Sequence, residues 1–305
     1  MRNISLDILK LVLSFFVIGL HCAFYKDHDR DIAHMLNNGL FRIGVPLFLI
    51  INGYFFYSIK TSAQFRKWVR RILMLYVFWM ICYIPIWQPK LRPMTLISVF
   101  NGYFHLWYIV NLLYAALCFW MMRKLDNRLR NAVVISLFTI GLALQYVGNY
   151  IITDDTTFVG NLLDFTPLYR NFLFMCLPLF YLGYKLNETQ IKFSSTALIL
   201  ASVLLLAEIW LNMLFADYEG FDILLSLVVF CPIVFVKIRD LQIMSENKYV
   251  SLVSSSVFLT HPIFMYLLQQ KGITAQTPLT IYTILLAVAF SVVVIPINKR
   301  LKFIL

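Results

Sequence analysis

The sequence predicts an all-α integral membrane protein, a bundle of about ten transmembrane helices with both termini cytoplasmic. Three observations predict it. The chain is 61% hydrophobic and 13% charged, with a mean hydropathy of +0.77, where a soluble chain has about 45–50% apolar and about 25% charged residues. The apolar residues come in long solid runs, whereas a strand barrel shows short alternating segments. The Lys and Arg residues gather on alternate connecting segments, the bias that the positive-inside rule requires.

A span needs about 20 mostly apolar residues. The first run, 5–25, carries Asp7 and Lys10 inside it, and no small-x-small cleavage pattern follows, so it reads as a retained helix and not as a signal peptide. Further runs lie at 40–59, 70–88, 105–122, 131–150, 170–185, 194–215, 222–236, 249–268 and 278–298. With the N-terminus inside, the inner flanks hold most of the 26 Lys and Arg residues. The outer flanks hold Lys26, Arg30, Lys90, Arg92, Arg170 and Lys271. The runs fill the chain nearly end to end, so residues 1–305 are expected to form a single polytopic membrane domain with no fused soluble domain. The formal net charge of +11 follows from this loop pattern and from attraction to anionic inner-leaflet lipid, not from nucleic-acid binding. The cysteines Cys22, Cys82, Cys118, Cys176 and Cys231 are scattered, with no C-x-x-C, and read as small buried hydrophobes. No dedicated metal-ligand spacing is present.

The first helix carries the chemistry. In LDILKLVLSFFVIGLHC, residues 6–22, Asp7, Lys10, Ser14 and His21 fall within one arc of about 60° at 100° per residue. Such a stripe should face the bundle interior or a wet cavity, because ionisable groups inside a membrane are costly. Lys10 and His21 are about 16 Å apart along the axis, with Lys10 near the inner end and His21 near the outer end. Asp7 and Lys10, three residues apart, are also able simply to pair. Imidazole is the usual general base near neutral pH.

Other groups keep His21 company. Arg42 opens the second helix, His105 the fourth, and His261 lies past the middle of the ninth, all in the outer half. His28 and His34 fall in the first outer loop and are expected to be solvated. Glu208 is an acid inside the seventh span, with a structural and a functional reading equally open. On the inner side, FRKWVRR sets Arg66, Lys67, Arg70 and Arg71 at the mouth of the third helix, as topology anchors or as a phosphate site. Two functions fit this pattern: transport with a proton relay, or transfer of a group from a phosphate-bearing cytoplasmic donor to an acceptor at the outer face. A non-catalytic scaffold leaves the stripe unexplained.

Four segments together resemble the membrane acyltransferase-3 family, which O-acetylates cell-surface carbohydrates. LDILKLVLSFFVIGLH is similar to its first-helix pattern of an acid, a basic residue and a histidine, here Asp7, Lys10 and His21. RIGVPLFLIINGYFF resembles its second-helix segment, with Asn52-Gly53 where Ser-Gly is usual. HLWYIVNLL resembles the H-x-W-[YF] element, and SSVFLTHPIF the late Leu-x-His-Pro motif. A strict R-x-R at the third helix is absent. The resemblance implies acetyl-CoA as donor, no metal, a bacterial inner-membrane location and a lipid-linked or surface polysaccharide acceptor such as O-antigen, enterobacterial common antigen or capsule. It implies nucleotide phosphates on Arg66, Arg70 or Arg71 and a pantetheine arm passing Lys10, which Asp7 orients. The thioester would meet His21, as base or as acetyl carrier, with Arg42 or His105 stabilising the oxyanion. His261 and Glu208 would lie on the substrate side. Trp107 and Tyr108 are placed to stack on a sugar, although aromatics at helix ends more often anchor the interface. A transporter or flippase of an acyl or glycan group is the alternative.

Overall fold

A computed structural model describes residues 2–87, 98–152, 154, 156–216 and 220–305. Lys90, Arg92 and Gln88, assigned above to a flank and to the end of the third run, lie outside the described residues. The elements are β1 (Arg2–Asn3), α1 (Ile4–His21), α2 (Arg30–Asn37), α3 (Gly44–Phe56), α4 (Ser62–Cys82), α5 (Trp107–Met122), α6 (Asn127–Tyr150), α7 (Leu177–Thr189), α8 (Ser195–Phe215), α9 (Leu227–Asp240), β2 (Met244–Ser245), α10 (Tyr249–Gln270) and α11 (Gln276–Leu301). Apart from the two-residue pair β1–β2, the described regular structure is helical.

Seven stretches are long and apolar enough to cross a membrane: α1, the run Arg30–Phe56 through α2 and α3, Phe104–Met122, α6, α8, α10 and α11. Helices also stand at the other three expected spans, but none of them is both long and apolar enough to count with these seven. α4 begins earlier than the apolar run, because Thr61 and Gln64 form a capping box, and so it includes Arg66, Lys67, Arg70 and Arg71. α7 and α9 have 13 and 14 residues. The expected span 222–236 starts late because residues before Leu227 are irregular and tied down by side chains. Gln145 accepts from the Asp222 and Ile223 amides, and Glu208 accepts from the Leu225 and Ser226 amides. Exposed Ile199, Val203, Leu206 and Trp210 along α8 form the apolar surface that lipid would cover.

The chain divides into two compact units. The first holds residues 1–37, 59–113 and 238–305. In it α1 packs on α10 and α10 on α11. Asn3 caps α1 by accepting from the Ser5 amide, and it reaches the Arg239 carbonyl at 2.7 Å. The second unit holds residues 38–58 and 114–237. In it α3 and α7 approach backbone to backbone at Gly53 and Gly183, around Phe56, Phe119, Phe180 and Tyr184.

Two burial expectations are corrected. His34 is buried, because α2 turns Ala33 and His34 inward. Cys82 is exposed on α4, while Cys22, Cys176 and Cys231 are buried and all five thiols are free.

Candidate active site

α1 turns its polar stripe inward. Asp7 and Ser14 are buried, while Ile8 and Val12 face outward. Asp7 and Lys10 pair at 3.3 Å near the start of the helix. One turn on, the Ser14 hydroxyl reaches the Lys10 carbonyl at 2.9 Å, and the Ser254 carbonyl and hydroxyl on α10, each at 3.1 Å. Two turns further, His21 Nδ1 lies 2.9 Å from His261 Nε2. Both contacts join residues 240 apart, so α1 and α10 run parallel in fixed register.

His261 sits just before Pro262 in α10, fully buried, with Nδ1 2.8 Å from the Phe258 carbonyl. The neighbouring Leu259 carbonyl accepts from the Tyr83 hydroxyl at 2.6 Å. His105, in the single turn Phe104–Leu106 that leads into α5, completes the cluster. Its ring lies 5.1 Å from His261 and 5.2 Å from Tyr83, centre to centre. His105 is 1% exposed, and neither ring nitrogen has a hydrogen-bond partner among the described residues. Phe104 covers His21, ring to ring at 4.4 Å. Three imidazoles therefore meet at one place, the material for proton transfer. Among the described residues no group of His, Cys, Asp and Glu is arranged to hold a metal ion.

α4 joins this cluster to a second feature. Its first turns and the segment after α11 bound a cavity of about 500 Å³ lined by Lys67, Trp68, Arg70, Arg71, Lys302 and Phe303. The tail is held there by Trp79, which donates to the Ile304 carbonyl at 3.0 Å, and by Arg71, which donates to the Leu305 carbonyl at 3.4 Å. Arg66, expected beside Arg70, is not among the lining residues, because the wall is formed by the face carrying Lys67, Arg71 and Met74. From Arg71 to Tyr83 the helix rises about 18 Å, so the basic cavity and the histidines lie toward opposite ends of α4.

The remaining expected residues are placed otherwise. Arg42, in the second unit, pairs with Asp222, which also meets Arg170 at 3.3 Å. Glu208 accepts from Tyr146 at 2.5 Å as well as from the Leu225 and Ser226 amides, so its carboxylate is committed to holding the approach to α9. Tyr108 is buried edge-on against Phe258, with no face open for a sugar, and Trp107 is half-buried at the start of α5. Tyr83, Ser254 and Lys302 were not singled out in the sequence, whereas His261 was.

Residues 3–297 match the acyltransferase-3 profile, described as an acyltransferase domain. The chain belongs to that family, and seven of its helical stretches are long and apolar enough to cross a membrane. It is also similar to an amino-acid racemase of Enterococcus faecalis, 21% identical over 213 residues, which are 61% of this chain and 30% of that protein. The chain thus aligns with less than a third of that relative. No solved structure matches it.

Proposed function

We propose that the protein transfers an acetyl group from cytoplasmic acetyl-CoA to a hydroxyl of a lipid-linked or surface polysaccharide sugar. It does so in the bacterial inner membrane, with both termini in the cytoplasm. The observation that carries this reading is the His21–His261 contact at one end of the buried stripe whose other end is the Asp7–Lys10 pair. Lys67, Arg70, Arg71 and Lys302 take the nucleotide phosphates, and the pantetheine arm extends toward His21. His21 removes the proton of the acceptor hydroxyl, and the oxygen attacks the thioester carbonyl. The C–S bond breaks, and the leaving thiolate takes the proton back from the imidazolium. His105, buried with both nitrogens unbonded, is the group available to the acyl oxygen.

A second reading has one observation in its favour, the similarity to a protein named for amino-acid chemistry. On it the acceptor hydroxyl belongs to an amino acid or peptide. Inverted membrane vesicles given labelled acetyl-CoA or succinyl-CoA, with extracted glycan or free amino acids as acceptors, separate the two. Label in glycan from acetyl-CoA supports the first reading, and label in amino acids supports the second. Unlabelled acceptors of both classes that nonetheless cross the bilayer overturn both and favour a transporter.

A further inference from the structure

We propose that His261 and Pro262 act as a tautomer lock that keeps the lone pair of His21 on Nε2. This inference rests on the reading of His21 as the general base. It starts from a missing donor. In a regular helix the amide of residue 262 would bond to the carbonyl of residue 258, but proline has no N–H. The Phe258 carbonyl is thereby released, and His261 Nδ1 stands 2.8 Å from it. A carbonyl only accepts, so His261 Nδ1 carries the hydrogen.

The consequence passes along the pair. In the neutral ring, His261 Nε2 is then an acceptor. It lies 2.9 Å from His21 Nδ1, a distance at which two lone pairs would repel, so His21 Nδ1 must donate. The His21 lone pair is thus on Nε2, away from His261. When Nε2 takes a proton, the Nδ1–H bond becomes charge-assisted and steadies the imidazolium. His261 never touches the reacting atoms. It is a positioning residue, with a backbone carbonyl as its own anchor.

The surroundings hold the lock in place. His261 is fully buried, and its ring lies 5.2 Å from that of His21 at 24°. Ser14 and Ser254 set the register of the two helices two turns away. The Leu259 carbonyl next door accepts from the Tyr83 hydroxyl, and the Phe258 carbonyl faces His261 Nδ1.

Two measurements test the lock. The first is nitrogen NMR of the intact protein in nanodiscs with labelled histidine, the His21 signals being assigned by their loss in His21→Asn. A protonated Nδ1 and a bare Nε2 are expected, and a proton on Nε2 with a bare Nδ1 overturns the proposal. The second is kinetics. His261→Leu should lower kcat by roughly 100-fold or more with KM for the donor unchanged, the scale of a lost general base. His261→Gln should recover part of kcat, because its amide accepts from His21 and donates to Phe258. Wild-type kcat in a folded His261→Leu protein overturns the proposal. If the spectrum is as expected but His21→Ala retains full transfer, the tautomer assignment stands and the base reading of His21 fails.

Discussion

Ser14 of α1 and Ser254 of α10 face each other with their hydroxyl oxygens 3.1 Å apart, in the same register that brings His21 to His261. Hydrogen bonds between membrane helices average about 0.6 kcal/mol and reach about 1.7 kcal/mol. Ser14→Ala and Ser254→Ala should each lower stability in detergent by about 1 kcal/mol. Because the two share a bond, the double variant should cost less than the sum. A double-mutant cycle on thermal or denaturant unfolding reads this, and strict additivity would show that the serines do not couple.

Gly53 and Gly183 let α3 and α7 touch through their backbones. A Cβ on Gly53 would run into the Phe180 carbonyl oxygen, and one on Gly183 into the Ile50 carbonyl oxygen. Small residues at such crossings are how membrane helices approach closely. Gly53→Ala and Gly183→Ala should each destabilise the fold by about 1–3 kcal/mol, the usual cost of overpacking. Loss of monodisperse, heat-stable protein in detergent is the expected result.

Asp27, in the loop after α1, accepts from the Thr277 hydroxyl at 2.5 Å and from the Thr277 amide, and so serves as a tertiary cap for α11. These bonds, the hydroxyl first, hold the Asp27 carboxyl below its usual range. A depressed carboxylate adds stability above its unfolded-state pKa of about 3.9 and loses it as pH falls through the lower folded value. The melting temperature of wild type should therefore fall more steeply than that of Asp27→Asn below about pH 4. Parallel curves would show that the cap does not matter.

The basic cavity predicts a binding phenotype. Arg71→Gln and Lys302→Gln should each raise KM for acetyl-CoA about tenfold, the scale of a lost charged hydrogen bond, with little change in kcat. Arg66→Gln should change KM far less, since Arg66 is not among the lining residues. Titration of initial rates against donor concentration distinguishes these. Equal effects at all three positions would mean that the charges act only through the general field of the inner face.

The sequence carried much of this, and the limits are physical. The α1 stripe was legible because helical periodicity alone puts Asp7, Lys10, Ser14 and His21 on one face, and burial of Asp7 and Ser14 follows from it. The partnership of His21 with His261 was not, since no local rule pairs residues 240 apart. The released Phe258 carbonyl was in principle readable from Pro262, but its recipient depends on the His261 rotamer. The expected span 222–236 misjudged its start because a hydropathy window does not register that Gln145 and Glu208, far away in sequence, satisfy the backbone before Leu227. Lys302 joins the basic cavity only because the tail folds back on Trp79, a contact with no sequence signal.

On the proposed mechanism, the imidazole at the end of the α1 stripe performs the transfer. The most direct measurement uses purified wild type and His21→Ala in proteoliposomes at equal density, following labelled acetyl from acetyl-CoA to glycan under single-turnover conditions. We predict that His21→Ala loses transfer by roughly 100-fold or more while donor binding is retained. Transfer at the wild-type rate in His21→Ala would overturn this mechanism and move the chemistry away from His21.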